Sequence, residues 1–411
     1  MMIPENGFCF EFTVADTPVQ FRFASGETTA MEAVLENGAL TVSMRFSWRE
    51  APLCLRGAAV PGNTARFVYR TYRIELYVDG TIVDEEWPCS EPLHADAVQT
   101  VGNTELRALP VPEERELPSF CGSFVGAEGW MPGGGVFAGD CMPYANDGRY
   151  HVLYLKDRHH HQSKWGKGAH QWEHLSTTDL IHWDVHPMAV PITSPEEGSI
   201  CTGSWIADGG KQYLYYTVRT TDGTPAPIRR SVSEDGYHFH KDEDFRFILS
   251  ERYFGATARD PKVVRGEDGL LHMFVTTTDL TVKRGCLVHL ISRDAEHFEE
   301  CGNIYTAPNE NEPECSDYFA LNGKYYLIFS HYGKGQYLVS DEPFSGFRAP
   351  ADPMIPCSSV PKCAVWKGRI LFTGFRGIDG YAGTLTFMEA EQQPDGTLTF
   401  RNVPETESVE R

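Results

Sequence analysis

Hydrophobic and polar residues alternate along most of this chain, with the two-residue period of a β-strand that buries one face. Asn-Gly and Asp-Gly pairs separate many of these runs, and such pairs favour tight hairpin turns. No long stretch keeps the 3.6-residue period of an amphipathic helix. The pattern therefore predicts an all-β protein.

Short alternating strands fill residues 1–112, where Asn37-Gly38 and Asp79-Gly80 lie between pairs of them. Several short strands joined by tight turns predict an antiparallel β-sandwich. The stretch RIELYVDGTIVDEEW resembles a hairpin of concanavalin-type, laminin-G-like sandwiches. Residues 109–119 contain three prolines and four charges, so we expect a linker there.

A repeat begins near residue 120. Five times, a hairpin glycine is followed by a polar residue and an alternating strand; these glycines are Gly148, Gly210, Gly269, Gly323 and Gly368. Subtraction gives intervals of 62, 59, 54 and 45 residues, the length of a four-stranded propeller blade with its loops. After each of the first four glycines comes a serine, then an aspartate and then an aromatic residue. We predict a five-bladed β-propeller over residues 120–411, preceded by the β-sandwich at 1–112.

Composition limits the partners and the compartment. A length of 411 residues fits two domains, and a net charge of −21 disfavours nucleic acid and anionic membranes. No apolar run is long enough for a transmembrane helix, and the N-terminus does not resemble a signal peptide. Eleven cysteines without short spacings argue against disulfides and structural zinc. We expect a cytoplasmic protein without a metal or cofactor; whether it forms a homo-oligomer is left open.

Three carboxylates stand at similar distances before their hairpin glycines. Asp140 precedes its glycine by eight residues, and Asp260 and Glu314 precede theirs by nine. Since the first strand of each blade lines the central channel, we expect the three to converge at one end of it. Close carboxylates do not all ionise freely, so one can act as an acid. Two carboxyl groups flanking a sugar acetal are the usual machinery of glycosidic cleavage.

Several motifs resemble those of glycoside hydrolase family 32, which contains invertases, levanases and inulinases. The RDPKV stretch at 259–263 resembles the family's RDP motif, and ECSDYF at 314–319 resembles its Glu-Cys-Pro-Asp-Phe-Phe acid/base motif. Residues 171–183 resemble its HWGHATSxDLxxW stretch, and residues 201–204 resemble its Phe-Ser-Gly-Ser segment.

The resemblance implies a retaining, β-fructosidase-like hydrolase acting on a carbohydrate. Asp140 would be the nucleophile, Glu314 the general acid/base and Asp260 the transition-state stabiliser. Arg259 would orient the carboxylates and the substrate. The residues implied to contact the sugar are Thr202, Trp165 and Tyr318.

The chain also departs from the family pattern. The family's nucleophile motif is Asn-Asp-Pro-Asn, whereas this chain has Gly-Asp-Cys-Met-Pro at 139–143, without the asparagines that bind sugar hydroxyls. The sandwich precedes the propeller, whereas in the family it follows. The stretch 157–172 is rich in His, Lys and Arg, and we expect it to line a substrate subsite with His160 and His170. These departures predict an unusual substrate.

Other functions remain open from the sequence. A related five-bladed enzyme acting on arabinofuranosides or xylosides would usually invert configuration. A phosphorylase-like propeller would use the basic stretch to hold phosphate, and a non-catalytic propeller would only bind carbohydrate. His170, Glu173 and His174 spell HxxEH, a zinc-protease pattern on a helix, but this stretch alternates like a strand, which disfavours a metalloprotease. The sandwich could complete the active-site rim, hold a dimer together or bind a polymer.

Overall fold

The computed structural model describes residues 7–47, 51–70, 72–86, 93, 95–112, 122–124, 129–133, 135–158, 170–194, 196–220, 222–356 and 359–407. The chain divides into two compact units. The first contains residues 1–115, 163–169 and 192–198, and the second contains residues 116–162, 170–191 and 199–411.

The first unit consists of two five-stranded antiparallel sheets. Its strands are β1 (Phe8–Thr13), β2 (Val19–Ser25), β3 (Thr28–Glu36), β4 (Ala39–Met44), β5 (Leu53–Ala58), β6 (Thr64–Arg70), β7 (Arg73–Val78), β8 (Thr81–Glu86), β9 (Ala97–Val101) and β10 (Arg107–Leu109). The strand orders are β10-β1-β6-β7-β8 and β5-β4-β3-β2-β9. Asn37 and Asp79 adopt positive φ in the hairpins where Asn-Gly and Asp-Gly predicted turns.

Aromatic side chains from both sheets form the core of the first unit. Phe10 of one sheet lies 5.1 Å from Phe23 of the other between ring centroids, and Phe12 lies 5.0 Å from Phe21. All four side chains are almost completely buried. They face inward because alternate residues of a strand share one face, so the sandwich predicted for this unit is confirmed.

Five consecutive antiparallel meanders lie in the second unit, except that the first two residues of the strand Glu197–Asp208 are assigned to the first. Blade one contains β13 (Val136–Asn146), β14 (Arg149–Arg158), β15 (Trp172–Thr177) and β16 (Trp183–Val190); blade two contains β17 (Glu197–Asp208), β18 (Lys211–Thr220), β19 (Ile228–Ser233) and β20 (His240–Lys241). Blade three contains β21 (Arg259–Arg265), β22 (Leu271–Asp279), β23 (Arg284–Ser292) and β24 (Glu299–Thr306); blade four contains β25 (Glu314–Leu321), β26 (Lys324–His331) and β27 (Lys334–Ser340). Blade five contains β28 (Ser359–Trp366), β29 (Arg369–Gly377), β30 (Gly383–Gln392) and β31 (Leu398–Asn402).

Shorter elements complete this unit. They are β11 (Ser123–Phe124), β12 (Trp130–Met131), a 3-10 turn at Gly255–Thr257 and α1 (Pro404–Glu407). The strand β30 pairs with β12 and, through Gly383 and Ala138, with β13 of blade one. The first and last blades are therefore joined. The prediction of an all-β fold with five blades is confirmed. Among the described residues, no helix has the length and apolar content that a membrane span needs.

The first strands of the blades contact one another around a common centre. Ser204 of β17 donates its hydroxyl to the Pro261 carbonyl of β21 at 2.9 Å. Lys362 of β28 reaches back to the Gly203 carbonyl of β17, with 3.0 Å between Nζ and O. Both donors are buried, and these hydrogen bonds hold the inner strands at fixed positions for the site described next.

Candidate active site

The inner strands are interrupted by irregularities at the same level of four blades. The register shifts lie between Ala138 and Cys141, Arg259 and Lys262, Glu314 and Asp317, and Ser359 and Lys362. A bulge re-aims the side chains of a strand. Within the shifts, Asp260, Cys315 and Val360 have φ of 57°, 52° and 43°, a conformation that L-residues adopt only where the surrounding structure imposes it.

The register corrects one sequence inference. Counting back from the hairpin glycines makes Asp260 equivalent to Glu314. In the structure, however, the last paired residue before the register shift is Arg259 in blade three and Glu314 in blade four, so these two are equivalent. The count failed by one residue because the β21–β22 turn is longer than the β25–β26 turn. Asp260 instead corresponds to Cys315, the residue after Glu314.

Cys315 joins two of the predicted carboxylates. Its backbone N–H donates to Asp260 Oδ2 at 2.9 Å. Its thiol donates to Asp140 Oδ2, with 3.4 Å between Sγ and the oxygen. Thr202 donates its hydroxyl to Asp260 Oδ1. Asp140, Asp260 and Cys315 are each less than one tenth exposed. Carboxylates from blades one and three therefore lie on either side of a residue from blade four.

Arg259 brings the third carboxylate to this group. Its Nη2 donates to Glu314 Oε1 at 3.1 Å, and its Nε lies 3.6 Å from Asp260 Oδ2. Its Nη1 donates to Glu312 Oε2 at 2.5 Å. Thr278 donates to the other oxygen of Glu312. The guanidinium therefore contacts three acidic side chains, and Asp140, Asp260 and Glu314 belong to one connected cluster.

Electrostatics keep Asp260 ionised. Burial favours the neutral acid, but the charges of Arg259 and Lys362, with the hydrogen bonds from Thr202 and Cys315, outweigh it and lower the pKa of Asp260 below its ordinary value. Asp260 is therefore a fixed negative charge at neutral pH.

The same surroundings hold the two partners of Asp260 in their protonated forms. Burial opposes the charge of Arg259, yet Asp260, Glu312 and Glu314 raise its pKa above the ordinary value. Burial and the charges of Asp260 and Asp140 raise the pKa of the Cys315 thiol well above its usual range. The thiol therefore acts as a hydrogen-bond donor to Asp140 at neutral pH.

Glu314 is the cluster's most accessible carboxylate. Its side chain is 26% exposed, compared with 5% for Asp260. Glu314 pairs with Ser330 on the neighbouring strand, so His331, the next residue, lies close to Glu314. Burial lowers the pKa of His331, and the negative charge of Glu314 partly opposes that shift. A carboxyl group that water reaches can exchange protons during a reaction, which suits an acid/base role.

Tyr381 is a member of the site that the sequence did not indicate. It lies between β29 and β30, and its hydroxyl donates to Asp140 Oδ1 at 3.1 Å. His170, a predicted site residue, stacks on the Tyr381 ring with 5.3 Å between centroids. His170 is therefore next to the carboxylate cluster through Tyr381. Glu312 was also missed, although it stands two residues before Glu314.

Two predicted sugar contacts lie in the protein interior. Thr202 is 1% exposed, and its hydroxyl is used by Asp260. Tyr318 is 8% exposed, its ring lies 5.3 Å from that of Phe344, and its hydroxyl donates to the Pro343 carbonyl at 2.5 Å. Both positions suit a structural or orienting role. Trp165 and His160 lie outside the described residues.

The HxxEH pattern lies at a strand, as its alternation indicated. His174 belongs to β15 and its Nε2 lies 3.0 Å from His151 Nδ1, while Glu173 pairs with Lys156 at 3.7 Å. In the part of the chain that the structure describes, no group of three or more His, Cys, Asp or Glu side chains is arranged to hold a metal ion.

Comparison with known proteins identifies similar sequences. A family model described as "Glycosyl hydrolases family 32 N-terminal domain" matches residues 141–343, a range that includes Asp260 and Glu314. A sucrose-6-phosphate hydrolase of Escherichia coli is 27% identical over 68% of this chain and 64% of that protein. A levanbiose-producing levanase of Bacillus subtilis is 36% identical over 30% of this chain and 24% of that protein. The chain thus spans less than two thirds of the length of these relatives.

Solved structures share the fold. Fructan 1-exohydrolase IIa from Cichorium intybus gives a TM-score of 0.56 at 16% identity, covering 72% of this chain and 63% of that chain. A GH32 β-fructofuranosidase from Bombyx mori gives a TM-score of 0.53 at 20% identity, covering 66% of this chain and 65% of that chain. At these identities the likeness concerns the fold alone.

Proposed function

We propose that this chain, whose residues 141–343 match the model of glycosyl hydrolases family 32, hydrolyses β-fructofuranosides with retention of configuration. Asp140 is the nucleophile, Glu314 the general acid/base and Asp260 the stabiliser of the transition state. The observation that carries this proposal is the connection of the three carboxylates through Cys315 and Arg259. Carboxyl groups on both sides of a glycosidic bond supply the acid and the nucleophile that its cleavage needs.

In the first step, Glu314 protonates the glycosidic oxygen while an Asp140 oxygen attacks the anomeric carbon of the fructosyl group. The bond to the leaving sugar breaks and a fructosyl ester of Asp140 forms. The hydrogen bond that Cys315 donates to Asp140 holds this carboxylate in place for the attack. The negative charge of Asp260 stabilises the positive charge that develops on the sugar ring.

In the second step, Glu314 removes a proton from water, and the water oxygen attacks the anomeric carbon. The bond to Asp140 breaks, the electron pair returns to its carboxylate, and fructose is released in its original configuration. Exposure of Glu314 to solvent suits both proton transfers. Arg259 orients the carboxylates throughout because it contacts Glu314 and Asp260.

We further propose sucrose and sucrose 6-phosphate as the first substrates to test. Relatives named sucrose-6-phosphate hydrolase and raffinose invertase motivate this choice. The basic stretch 157–172, which contains His160, Trp165 and His170, would contact the sugar or its phosphate group. Gly139 stands where the family motif has an asparagine, so the contacts to the fructosyl hydroxyls must differ from those of the motif.

The test is a comparison of sugar release from sucrose, sucrose 6-phosphate, inulin, levan and an aryl β-fructofuranoside. Asp140→Asn should lower turnover by about a thousandfold or more, because the nucleophile is lost. Asp279→Asn is the matched control, since Asp279 is a buried carboxylate held by Arg252; it should keep turnover within about threefold. Full activity of Asp140→Asn would contradict the proposal.

Stereochemistry and co-substrate separate the alternatives. With methanol as acceptor, a retaining enzyme yields the methyl β-fructofuranoside, which proton NMR distinguishes from the α-anomer. A rate that requires inorganic phosphate would instead indicate a phosphorylase. Release of arabinose or xylose from aryl glycosides, without release of fructose, would favour the related furanosidase reaction.

A further inference from the structure

The Tyr381 hydroxyl is attached to Asp140 at two points. It donates to Asp140 Oδ1 at 3.1 Å and accepts a hydrogen bond from the Asp140 backbone N–H at 3.3 Å. The two residues are 241 positions apart in the sequence. A single hydroxyl that contacts both the backbone and the side chain of one residue restricts the rotation of that carboxylate.

Gly139 is what allows Tyr381 to approach. A Cβ atom built on Gly139 would lie 2.4 Å from the Tyr381 hydroxyl oxygen and 2.9 Å from the ring carbon that bears it. Any other residue at 139 would therefore push the hydroxyl away from Asp140. The glycine that departs from the family motif and the tyrosine of blade five form one interdependent pair.

The ring of Tyr381 is held from two sides. His170 stacks on it at 5.3 Å, and Phe375 meets it edge-on at 5.3 Å. The turn around it is tight, since the Ile378 N–H donates to the Ala382 carbonyl at 3.0 Å. Burial, followed by the charge of Asp140, raises the pKa of Tyr381 well above its ordinary value. The hydroxyl therefore keeps its proton at neutral pH and is a preorganised hydrogen-bond donor to Asp140.

We propose that Tyr381 is a positioning residue that stabilises the Asp140 carboxylate when it leaves the sugar in the second step. This inference rests on the proposed function. In the fructosyl ester, Asp140 has no charge; when the bond to the anomeric carbon breaks, the electron pair returns to the carboxylate and the Tyr381 hydrogen bond strengthens. The hydroxyl thus favours hydrolysis of the ester over its formation.

The kinetic signature follows from this division of roles. Tyr381→Phe removes the hydroxyl and keeps the ring, so the second step should become rate-limiting. We expect kcat to fall by about 10- to 100-fold with a parallel fall in KM, so that kcat/KM changes much less. Rapid-quench measurements with an aryl β-fructofuranoside should give a burst of phenol equal to the enzyme concentration.

Tyr150→Phe is the matched control, because Tyr150 is a buried tyrosine of blade one whose hydroxyl bonds to Thr373. Tyr150→Phe should lower the unfolding free energy but give no burst of phenol in the rapid-quench measurement. Gly139→Ala should reproduce the loss of kcat, and the double variant Gly139→Ala with Tyr381→Phe should be no slower than the worse single variant. Additive losses in the double variant would overturn the proposal.

Two failures can be told apart in the same assay. If the wild-type protein releases fructose with retention but Tyr381→Phe leaves kcat and KM unchanged, the role of Tyr381 is wrong and the proposed function stands. A fall in kcat with unchanged KM and no burst also overturns the role. If the wild-type protein releases no fructose from any substrate, both proposals fail.

Discussion

Replacement of Arg259 by methionine tests whether its guanidinium holds the acidic cluster together. The Arg259 side chain is 11% exposed and its partners Glu312 and Glu314 are 14% and 26% exposed, so water screens these charges poorly. Methionine keeps most of the volume but removes the positive charge. Loss of one partner of a buried ion pair costs about 3–5 kcal/mol of unfolding free energy, and we expect that loss here.

The companion variant is Glu312→Gln. It removes the charge facing Arg259 but keeps an oxygen that can accept from Thr257 and Thr278, which donate at 2.6 and 2.7 Å. Alone, Glu312→Gln should lower the unfolding free energy by about 1.5–3 kcal/mol, the range for hydrogen bonds to charged groups. In the double variant, methionine no longer faces the Glu312 charge, so the loss should be smaller than the sum by about 1–3 kcal/mol.

Urea denaturation followed by tryptophan fluorescence gives the unfolding free energy of the wild type, the two single variants and the double variant. Their midpoints can be compared if all four proteins share the same slope m. Asp279→Asn with Arg252→Met provides a matched cycle at an ion pair whose arginine is 44% exposed, where a smaller coupling is expected. A coupling below about 0.5 kcal/mol between Arg259 and Glu312 would show that the guanidinium does not hold the acidic cluster together.

Three further predictions concern other parts of the second unit. Burial lowers the pKa of both His151 and His186 to about 4, whereas an unfolded histidine titrates near 6.5. The native state then binds fewer protons than the unfolded state, so the unfolding free energy should fall as pH drops from 6.5 to 4. The fall is up to about 1.4 kcal/mol per pH unit for each histidine. Urea titrations at several pH values should show that His151→Gln reduces this dependence of the unfolding free energy on pH. Tyr318→Phe should lower stability by about 1 kcal/mol with KM unchanged; a large rise in KM would mean that Tyr318 contacts the sugar. Gly203→Ala should lower the thermal midpoint strongly because its Cβ would lie 1.8 Å from the Tyr215 carbonyl oxygen, and an unchanged midpoint in calorimetry would contradict this contact.

Local sequence signals predicted the repeat well. All five hairpin glycines adopt φ between 74° and 80°, the left-handed conformation that glycine tolerates best. The serine and aspartate landmark forms turns: Asp235 accepts from the backbone N–H groups of Tyr237 and His238, and Asp294 accepts from those of Glu296 and His297. Such features depend on a few consecutive residues, which is why the sequence predicts them.

Features that depend on distant residues were harder to predict. The distances of Asp140, Asp260 and Glu314 before their hairpin glycines, together with the RDP and Glu-Cys motifs, predict that the three carboxylates meet, and the structure places them in one cluster. Tyr381 gave no local signal, since its role depends on how blade five approaches Gly139 of blade one. The motif predicts a sugar contact for Tyr318, but its side chain is buried and lies against Phe344, a residue that follows it by 26 positions in the sequence.

The most direct measurement is the identification of the residue that carries the sugar. Glu314→Gln, which lacks the acid/base, should still react with an aryl β-fructofuranoside whose leaving group needs little protonation, and the ester should then accumulate. We expect mass spectrometry to find one fructosyl group per chain, attached to the peptide that contains Asp140. A fructosyl group on another residue, or an α-configured product from the wild-type protein, would contradict it.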